Sequence, residues 1–379
     1  MASLMFTAIG LMSGTSLDGV DAALIRTDGE KVERTDHCIT VPYDGQLRKN
    51  LHSVINKKSS MEKGELYELI EEVEEEVTLR HVQAVRQLLL KAGLTPKNID
   101  IIGFHGQTID HRPEQQTSWQ IGDGNKLAKM TGINVVNNFR AADLKAGGQG
   151  APLVPVYHAA LVKELPKPLV FVNIGGVANV TYISDDGIES IMAFDTGPGN
   201  ALIDDWMLQN MGLHCDTDGN LARSGEVSKE LLSSFMDNQY FKDLPPKSLD
   251  RNQFSDVIKQ LEAAGVSAAQ GAATLAAFTV ESIVASKAFF KQEPKAWYIC
   301  GGGRHNAIIM EGLARRLEAK VFPVEEIGLN GDSLEAECFG YLAMRSMRKL
   351  PITFQNTTGI KMSSATGGVF CPAGTAPAA

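Results

Sequence analysis

Two stretches of the chain, about 160 residues apart, have the same pattern of apolar and polar positions. Residues 6–12 are mostly apolar, and a polar glycine turn separates them from a second apolar run at 20–25. Residues 169–174, the turn Gly175-Gly176 and residues 177–183 repeat this order. Apolar runs of this length on either side of turn residues predict a strand, a turn and a second strand.

A strand that leads into a glycine turn recurs later in each half, at residues 101–107 and 297–306. The two halves share negligible sequence identity, so the repeat is one of element order alone. We therefore predict a pseudo-duplicated α/β protein, with an N-terminal domain at 1–165 and a second domain at 166–349. The tail from about 350 to 379 is expected to pack back on the first domain. Facing halves of this kind favour a ligand site in the cleft between them.

The remaining pattern predicts further elements. Apolar residues recur at helical spacing from Leu66 to Leu88, and Gly93 is placed to end that helix. A short buried strand at 99–104 is expected to end in the polar turn His105-Gly106-Gln107-Thr108. The other predictions are strands at 31–43 and 132–139, a linker at 166–168, and helices at 201–211 and 306–317.

Composition and charge narrow the class of protein. The 379 residues are 44% hydrophobic and 21% charged, which is ordinary for a soluble globular chain. A net charge of −9 argues against nucleic acid as the main partner. The five cysteines are widely spaced and fit a reducing compartment. No basic signal region precedes the first apolar run, and residues 272–290 are too polar to span a membrane, so we expect a cytoplasmic protein.

Several common catalytic signatures are missing from the sequence. It contains no Walker P-loop, no G-x-G-x-x-G that opens a helix, no H-E-x-x-H and no G-x-S-x-G. A Walker NTPase, a Rossmann dehydrogenase and a serine or zinc hydrolase are therefore disfavoured.

Three glycine turns lie at hairpins or strand ends, at residues 13–19, 175–176 and 301–303. Successive N–H groups in such turns form anion-binding nests, so we expect two turns to hold a polyphosphate and the third to accommodate base and ribose. One such turn alone is as well explained by reversal of the chain. The predicted cofactor-binding residues are Ser13, Gly14, Thr15, Ser16, Leu17, Asp18, Gly19, Val20, Asp21, Gly175, Gly176, Gly301, Gly302, Gly303 and Asn306.

Asp195 is the best candidate for a catalytic group. An apolar strand delivers it to a turn that contains two glycines and a proline, where its carboxylate can take a proton from water or from a sugar hydroxyl. The alternative is that Asp195 caps the helix that follows. Asn200 is an equally good cap and stands closer to that helix, which favours the catalytic interpretation.

Other polar groups cluster at predicted strand ends or helix starts. His105, Gln107, Thr108, Arg140 and Glu335 are candidates for binding substrate, and Arg140 is suited to pair with a ligand carboxylate. Any of them could instead tie two loops together. Asp18 and Asp21 are candidates to orient Mg²⁺ through its waters, because magnesium keeps several water ligands.

Five motifs of the chain resemble the anhydro-N-acetylmuramic acid kinases. They are residues 9–21, His105-Gly106-Gln107-Thr108, residues 147–155, Asn173-Ile174-Gly175-Gly176 and residues 194–200. The likeness covers nearly the whole chain, although the tail from 357 to 368 follows the family pattern only loosely. Members belong to the actin-like sugar-kinase superfamily, which implies a two-domain actin-like (ribonuclease H-like) fold with a central cleft for ATP and sugar.

The resemblance also implies a reaction, in which ATP and water open 1,6-anhydro-N-acetylmuramic acid to N-acetylmuramic acid 6-phosphate during cell-wall (peptidoglycan) recycling. By resemblance Asp195 is the base that activates the water, Arg140 and Glu335 lie near the sugar, and the protein is a homodimer. Two alternatives stay open. One is a sugar kinase that phosphorylates a free hydroxyl without adding water, and the other is a nucleotide-driven structural or chaperone-like protein.

Overall fold

Strands and helices alternate along the chain, as the α/β prediction requires. The computed structural model describes residues 4–14, 16–57, 63–249, 251–362, 364–365 and 367–374. Up to residue 161 its strands and helices are β1 (Phe6–Ser13), β2 (Gly19–Thr27), β3 (Val32–Pro42), α1 (Gly45–Lys57), α2 (Lys63–Ala92), β4 (Ile101–Arg112), β5 (Thr117–Ile121), α3 (Gly124–Thr131), β6 (Val135–Asn137), α4 (Arg140–Lys145) and α5 (Pro155–Leu161).

The second half of the chain repeats this alternation. Its elements are β7 (Leu169–Ile174), β8 (Val177–Ile183), β9 (Ile191–Pro198), α6 (Ala201–Met211), α7 (Asn220–Arg223), α8 (Lys229–Met236), α9 (Asp256–Ala263), α10 (Ala268–Ala285), β10 (Ala296–Cys300), α11 (Ala307–Leu317) and β11 (Lys320–Pro323). The last elements are α12 (Leu334–Met347), β12 (Thr353–Phe354), α13 (Gln355–Thr358), β13 (Ser364–Ala365) and β14 (Val369–Cys371).

Contacts among the described residues divide the chain into two units. Unit 1 lies within residues 1–161, 333–355 and 360–379, and unit 2 within residues 162–332 and 356–359. Helix α12 therefore belongs to unit 1, whereas the sequence-based division had placed it in the second domain. The physical reason is that α12 packs on strands β1, β2 and β4 of the first sheet.

The sheet of unit 1 has the strand order β14-β6-β4-β1-β2-β3, with β5 paired to β4. Strands β1, β2 and β3 are antiparallel, whereas β4 is parallel to β1 and β6 is parallel to β4. Side chains alternate across the pleat. On β1, Ile9 and Leu11 are fully buried in a core that also contains residues of α1 and α2. Gly10 lies between them, and a Cβ atom built on it would lie on the opposite face of the sheet, against α12.

Helix α12 lies against this face in direct contact with the backbone of the sheet. A Cβ atom on Gly10 would lie 1.7 Å from the carbonyl oxygen of Ala336, and one on Gly103 would lie 1.8 Å from the carbonyl oxygen of Phe339. Gly340 of the helix completes the contact, because its own Cβ would lie 3.1 Å from the Gly10 nitrogen. Only glycine permits such an approach.

The sheet of unit 2 has the order β11-β10-β7-β8-β9. Strands β7, β8 and β9 are antiparallel, and β10 and β11 continue the sheet in parallel from β7. Unit 1 has the same arrangement in β3, β2, β1, β4 and β6. This is the topology of the ribonuclease H-like fold, on which actin-like sugar kinases are built, and it confirms the predicted duplicated α/β class.

One helical stretch among the described residues, Ala268–Phe289, is long and apolar enough to cross a membrane by length and composition. It has 22 residues and a mean hydropathy of 1.3, and 61% of its most apolar window is buried. Leu275, Phe278 and Ile283 of this stretch belong to the core of unit 2. Burial in that core accounts for its apolar composition.

Two predicted strand boundaries are wrong. Strand β4 does not end before His105-Gly106-Gln107-Thr108 but continues to Arg112, because β5 pairs antiparallel with residues 107–112. The strand predicted at 132–139 is reduced to β6, because Gly132 adopts a left-handed conformation and ends α3. Apolar periodicity alone predicts neither the pairing that extends β4 nor the left-handed conformation of Gly132.

His81 of α2 is a fully buried histidine in the core of unit 1. Its Nδ1 atom lies 2.7 Å from the carbonyl oxygen of Val77, its ring packs edge-on against Phe104, and its buried Nε2 has no hydrogen-bond partner among the described residues. A second proton on Nε2 would lack an acceptor. Burial accordingly lowers the pKa of His81 from 6.5 to about 4.

We expect Gly103→Ala to destabilise the protein by at least about 3 kcal/mol, because the new methyl group clashes with the backbone of α12 and the helix must move. Chemical denaturation measures the free energy of unfolding of this variant and of the control, Gly45→Ala. Nothing lies within 4 Å of a Cβ at Gly45, so the control should be as stable as the wild type. Equal stability of the two variants would contradict the close helix–sheet contact.

His81→Phe should reduce the loss of stability in acid. The folded-state pKa of His81 lies below the unfolded value, so the unfolded chain binds more protons and stability falls as the pH drops from about 6.5 through about 4. Between pH 7 and pH 5 the wild type should lose about 2 kcal/mol more free energy of unfolding than the variant. Urea titrations at both pH values measure this, with exposed His214→Gln as control. An identical loss in wild type and His81→Phe would refute the assignment.

Candidate active site

The β1–β2 turn of unit 1 is tied to strand β4 by two side chains. The Ser13 hydroxyl donates to the carbonyl oxygen of Gly106 (3.0 Å), and the Gln107 amide donates through Nε2 to the carbonyl oxygen of Gly14 (3.1 Å). The turn predicted to bind nucleotide and a residue predicted to bind substrate are thus adjacent. The Oε1 atom of Gln107 is buried and accepts no hydrogen bond from the described residues, so it is suited to a ligand donor.

The other residues of this turn have different environments. Leu17 adopts a positive φ of 59° and its side chain is buried, as is that of Val20. Gly19 lies so close to β3 that a Cβ would be 2.3 Å from the carbonyl oxygen of Val41. Ser16 is exposed. Thr15 lies outside the described residues. Leu17 and Val20 can therefore meet a ligand only through their backbone.

His105 and Arg140 form a fixed pair in unit 1. The Nδ1 atom of His105 donates to the carbonyl oxygen of Gly106 (2.7 Å), so its Nε2 atom is the acceptor and lies 2.9 Å from Nη2 of Arg140. Arg140 also donates through Nη1 to the carbonyl oxygen of Gly150 (2.6 Å). Burial and the charge of Arg140 hold the pKa of His105 well below its usual value of 6.5, so the imidazole is neutral at pH 7.

Two further predicted substrate residues lie in the same unit. The Thr108 hydroxyl accepts a hydrogen bond from Nε2 of Gln120 (3.2 Å). Glu335 lies in the first turn of α12. Burial raises the pKa of the Cys338 thiol well above 9; Glu335 raises it further and Arg140 lowers it. Both Glu335 and Arg140 thus act electrostatically on the Cys338 thiol of α12.

A cavity of about 200 Å³ opens beside His105. Gln120, Asn137 and Asn138 are among its polar lining residues, and Trp119, which is 41% exposed, also lines it. Amides and an indole ring are groups that recognise small polar molecules. Because His105 lines it, the cavity adjoins the predicted substrate residues of unit 1.

The Gly175-Gly176 turn of unit 2 holds the start of α6. The carbonyl oxygen of Gly175 accepts from the Asn200 backbone N–H (2.7 Å), and that of Gly176 accepts from the N–H groups of Gly199 (2.9 Å) and Ala201 (3.2 Å). Asn200 occupies the N-cap position, but its side chain caps nothing and donates to the carbonyl oxygen of Ile174 (3.0 Å). Asn200 therefore occupies the cap position, as predicted, but its side chain does not make the capping hydrogen bond.

The third glycine turn lies beside the same groups. Gly301 has a φ of 73°, and a Cβ there would lie 2.3 Å from Oδ1 of Asn173. Gly302, by contrast, is open, because its Cβ would have Asn200 as its nearest neighbour at 3.7 Å. Gly303 is buried against Ile174. The carboxyl ends of parallel strands β7 and β10 thus bring two of the three predicted nucleotide turns together.

Asn306 has a structural contact that the sequence analysis did not assign. Its Oδ1 atom accepts from the backbone N–H groups of Ile308 (3.1 Å) and Ile309 (3.3 Å), which makes it the N-cap of α11. Its oxygen is therefore committed to the helix. Only its amide nitrogen is suited to contact a nucleotide.

Asp195 is 9% exposed and lies within β9, three residues before the strand ends at Pro198. Its Oδ2 atom accepts the backbone N–H of Leu249 (2.8 Å). Its own backbone N–H donates to the carbonyl oxygen of Lys247 (2.9 Å), and its carbonyl oxygen accepts from the Tyr240 hydroxyl (2.6 Å). The loop that contains Tyr240, Lys247 and Leu249 thus holds both the backbone and the carboxylate of Asp195.

The described residues do not form a direct metal site. Within the residues that the structure describes, no group of three or more His, Cys, Asp or Glu side chains is arranged to hold a metal ion. Asp18 pairs with Arg48 (3.2 Å), and Oδ1 of Asp21 accepts from the Thr40 hydroxyl (2.6 Å). Both carboxylates thus have side-chain partners in unit 1, and Mg²⁺ usually keeps several waters rather than entering a cage made of protein ligands alone.

The family model for anhydro-N-acetylmuramic acid kinase matches residues 6–372. The chain belongs to the anhydro-N-acetylmuramic acid kinase family. A relative of that name from Paramagnetospirillum magneticum is 49% identical over 93% of this chain and 96% of its own length. The relative from Rhodospirillum rubrum is 47% identical over 97% of this chain and 95% of its own.

Among solved structures, component A of (R)-2-hydroxyglutaryl-CoA dehydratase from Acidaminococcus fermentans matches with a TM-score of 0.48 and 13% identity, over 90% of this chain and 99% of that one. The structural likeness adds nothing to the family assignment, which rests on sequence.

Sequence reasoning missed the loop that holds Asp195 in this family member. Tyr240, Lys247 and Leu249 lie 45 to 54 residues further along the chain, in a segment without regular periodicity. A lysine among aromatic residues gives no motif in the sequence. Only the tertiary structure shows that these residues contact Asp195.

Proposed function

We propose that this protein is a kinase that uses ATP and water to convert 1,6-anhydro-N-acetylmuramic acid into N-acetylmuramic acid 6-phosphate, a step of peptidoglycan recycling. The observation that carries the proposal is the family match from residue 6 to 372. The fixed carboxylate of Asp195 supports it, because the reaction needs a rigidly held base.

Asp195 acts as this base. It removes a proton from a water molecule, and the resulting hydroxyl attacks the anomeric carbon of the sugar. The bond from that carbon to the bridging oxygen breaks, and the freed oxygen attacks the γ-phosphorus of ATP, from which ADP departs. The proton stays on Asp195 until it passes to solvent. No covalent enzyme intermediate is required.

The substrate side is assigned to His105, Gln107, Thr108, Arg140 and Glu335. Arg140 is oriented by His105 and Gly150, and N-acetylmuramic acid carries a lactyl carboxylate that a guanidinium recognises. The neutral imidazole of His105 holds that guanidinium without adding a second charge. Oε1 of Gln107, which accepts no hydrogen bond from the described part of the chain, accepts from a sugar hydroxyl or amide.

The glycine turns at 13–19, 175–176 and 301–303 are assigned to ATP. Phosphoryl transfer depends on positioning and on neutralisation of charge, which backbone N–H groups provide. Mg²⁺ accompanies ATP in this proposal and reaches Asp18 and Asp21 only through water.

A cytoplasmic location and a homodimeric state complete the proposal. The buried environment of the apolar helix α10 supports a soluble protein. Light scattering on the purified chain measures the oligomeric state, and cell fractionation measures the location.

Asp195→Asn should lower kcat by at least about a thousandfold while changing the Kd for ATP by less than about twofold. The amide oxygen can still accept the Leu249 N–H, so the fold is retained, but the amide cannot take a proton. Steady-state kinetics and calorimetric titration with ATP measure the two quantities. An equal loss of nucleotide affinity would make Asp195 mainly structural. ATP hydrolysis that needs no sugar and survives the substitution would favour the chaperone-like alternative.

Reaction in ¹⁸O-water tests the coupled hydrolysis. Mass spectrometry of the product should find one ¹⁸O atom, at the anomeric carbon, when anhydro-sugar and ATP are the substrates. The reaction must be quenched early, because the free anomeric centre of the product exchanges oxygen with water. Unlabelled product at early times would support a plain sugar kinase.

Gly302→Ala should weaken ATP binding by about tenfold without destabilising the fold. The alanine methyl fits the structure, with its nearest contact at 3.7 Å, so any loss of affinity reports the close approach of a ligand to this backbone. Calorimetric titration and thermal unfolding measure the two effects, and Gly45→Ala is the control. Unchanged ATP affinity would remove Gly302 from the nucleotide site.

A further inference from the structure

The segment 240–249 holds Asp195 at three atoms. It receives the backbone N–H of Asp195 on the carbonyl oxygen of Lys247, donates the Tyr240 hydroxyl to the carbonyl oxygen of Asp195, and donates the Leu249 N–H to the carboxylate. Both peptide groups and the side chain of one residue are therefore fixed by ten consecutive residues. The position of the carboxylate depends on the conformation of this segment.

Most of the segment has no regular secondary structure of its own. A short 3-10 helix, Gln239–Phe241, opens it, and residues 242–249 form neither helix nor strand. Such a segment keeps one conformation only if side chains anchor it. The anchor must lie close to both ends of the segment.

Lys247 provides that anchor. It is 8% exposed, and its Nζ atom donates to the carbonyl oxygen of Tyr240 (2.6 Å), which closes the segment on itself. The ammonium also lies 4.6 Å from the centre of the Tyr240 ring, 4.8 Å from that of Phe289 and 5.8 Å from that of Phe194. Three aromatic faces around one cation form a cage that favours a positive charge.

The ammonium of Lys247 has no direct role in the proton transfer that is assigned to Asp195. Burial lowers the pKa of Lys247 to about 8, and the carboxylate that opposes this shift is Asp243. The group is therefore mostly protonated at pH 7. Its contact with Asp195 runs through its backbone carbonyl and through Tyr240.

We propose that Lys247 is a positioning residue for Asp195, and that its caged ammonium fixes segment 240–249 so that the carboxylate keeps the geometry needed for proton abstraction. The proposal rests on the proposed role of Asp195 as the base. Lys247 acts through Tyr240 and through its own peptide group and does not touch the reacting atoms.

A double-mutant cycle on the full chain tests this. Lys247→Met removes the cation and its hydrogen bond but keeps an unbranched apolar side chain for the aromatic rings. Displacement of a reacting group by about 1 Å costs on the order of 100-fold in rate, so kcat for the anhydro-sugar should fall by about 10-fold to 100-fold. The Kd for ATP and the thermal midpoint should stay close to those of the wild type.

In the Asp195→Asn background, Lys247→Met should change the residual rate by less than about threefold, because no base remains to be positioned. An equal loss in both backgrounds would show a general structural role and overturn the proposal. The matched control is Lys242→Met, on the same segment, where the lysine is exposed and, among the described residues, pairs with Asp237. It should leave kcat within about twofold of the wild type.

The outcomes separate this proposal from the proposed function. If Asp195→Asn keeps the wild-type kcat, Asp195 is not the base and both proposals are wrong. If Asp195→Asn is inactive and Lys247→Met is as active as the wild type, only the role of Lys247 is wrong. Should Lys247→Met fail to fold in circular dichroism, Lys247→Gln removes the cation with a smaller change in polarity, and full activity of that folded variant overturns the proposal.

Discussion

Direct backbone contact between α12 and the first sheet determines where the last helix lies, and glycine alone allows it. Side chains normally keep a helix about 10 Å from a sheet, whereas Gly10 and Gly103 let the carbonyl oxygens of Ala336 and Phe339 approach the space that a Cβ would occupy. The helix starts at Leu334 and carries Glu335 in its first turn. The position of Glu335, which is proposed to bind the sugar, therefore depends on two glycines in strands that are distant from Glu335 in sequence.

A buried carboxylate fixes the rotation and the start of the same helix. Glu337 accepts two hydrogen bonds from Arg34 (2.7 and 2.8 Å), one from the Tyr157 hydroxyl (2.6 Å) and one from the Ser333 hydroxyl (2.7 Å). A buried charge is tolerable only when it is paired and hydrogen-bonded in this way. Because its partners come from β3, from α5 and from the residue before α12, Glu337 ties three separate segments of unit 1 to the first turn of the helix. Close packing and this network together position the first turn of α12, which contains Glu335.

The sequence predicted the elements whose cause is local and missed the contacts whose cause is tertiary. Strands β7 and β8 were predicted with the bounds that the structure has, because apolar alternation and the Gly175-Gly176 turn are encoded within a few residues. The continuation of β4 through His105 was missed, because it depends on pairing with β5. For the site, residue type and strand order pointed to Asp195, yet the loop around Lys247 lies outside any periodic pattern. Likewise, the cap contact of Asn306 is a local one, but the sequence could not distinguish it from a contact with a ligand.

The way in which Asp195 is held suits the chemistry assigned to it. A lysine paired directly with the carboxylate would fix it as well, but an adjacent cation stabilises the charged form of a carboxylate and makes it a poorer proton acceptor. In this protein the cation of Lys247 is enclosed by aromatic rings and donates to a peptide carbonyl, and the neutral N–H of Leu249 donates to the carboxylate. The positive charge of Lys247 therefore stabilises the loop, and the loop contacts the proposed base through neutral groups of Lys247, Tyr240 and Leu249. In this arrangement the ammonium of Lys247 stiffens the loop while it donates to a peptide carbonyl rather than to the carboxylate of Asp195.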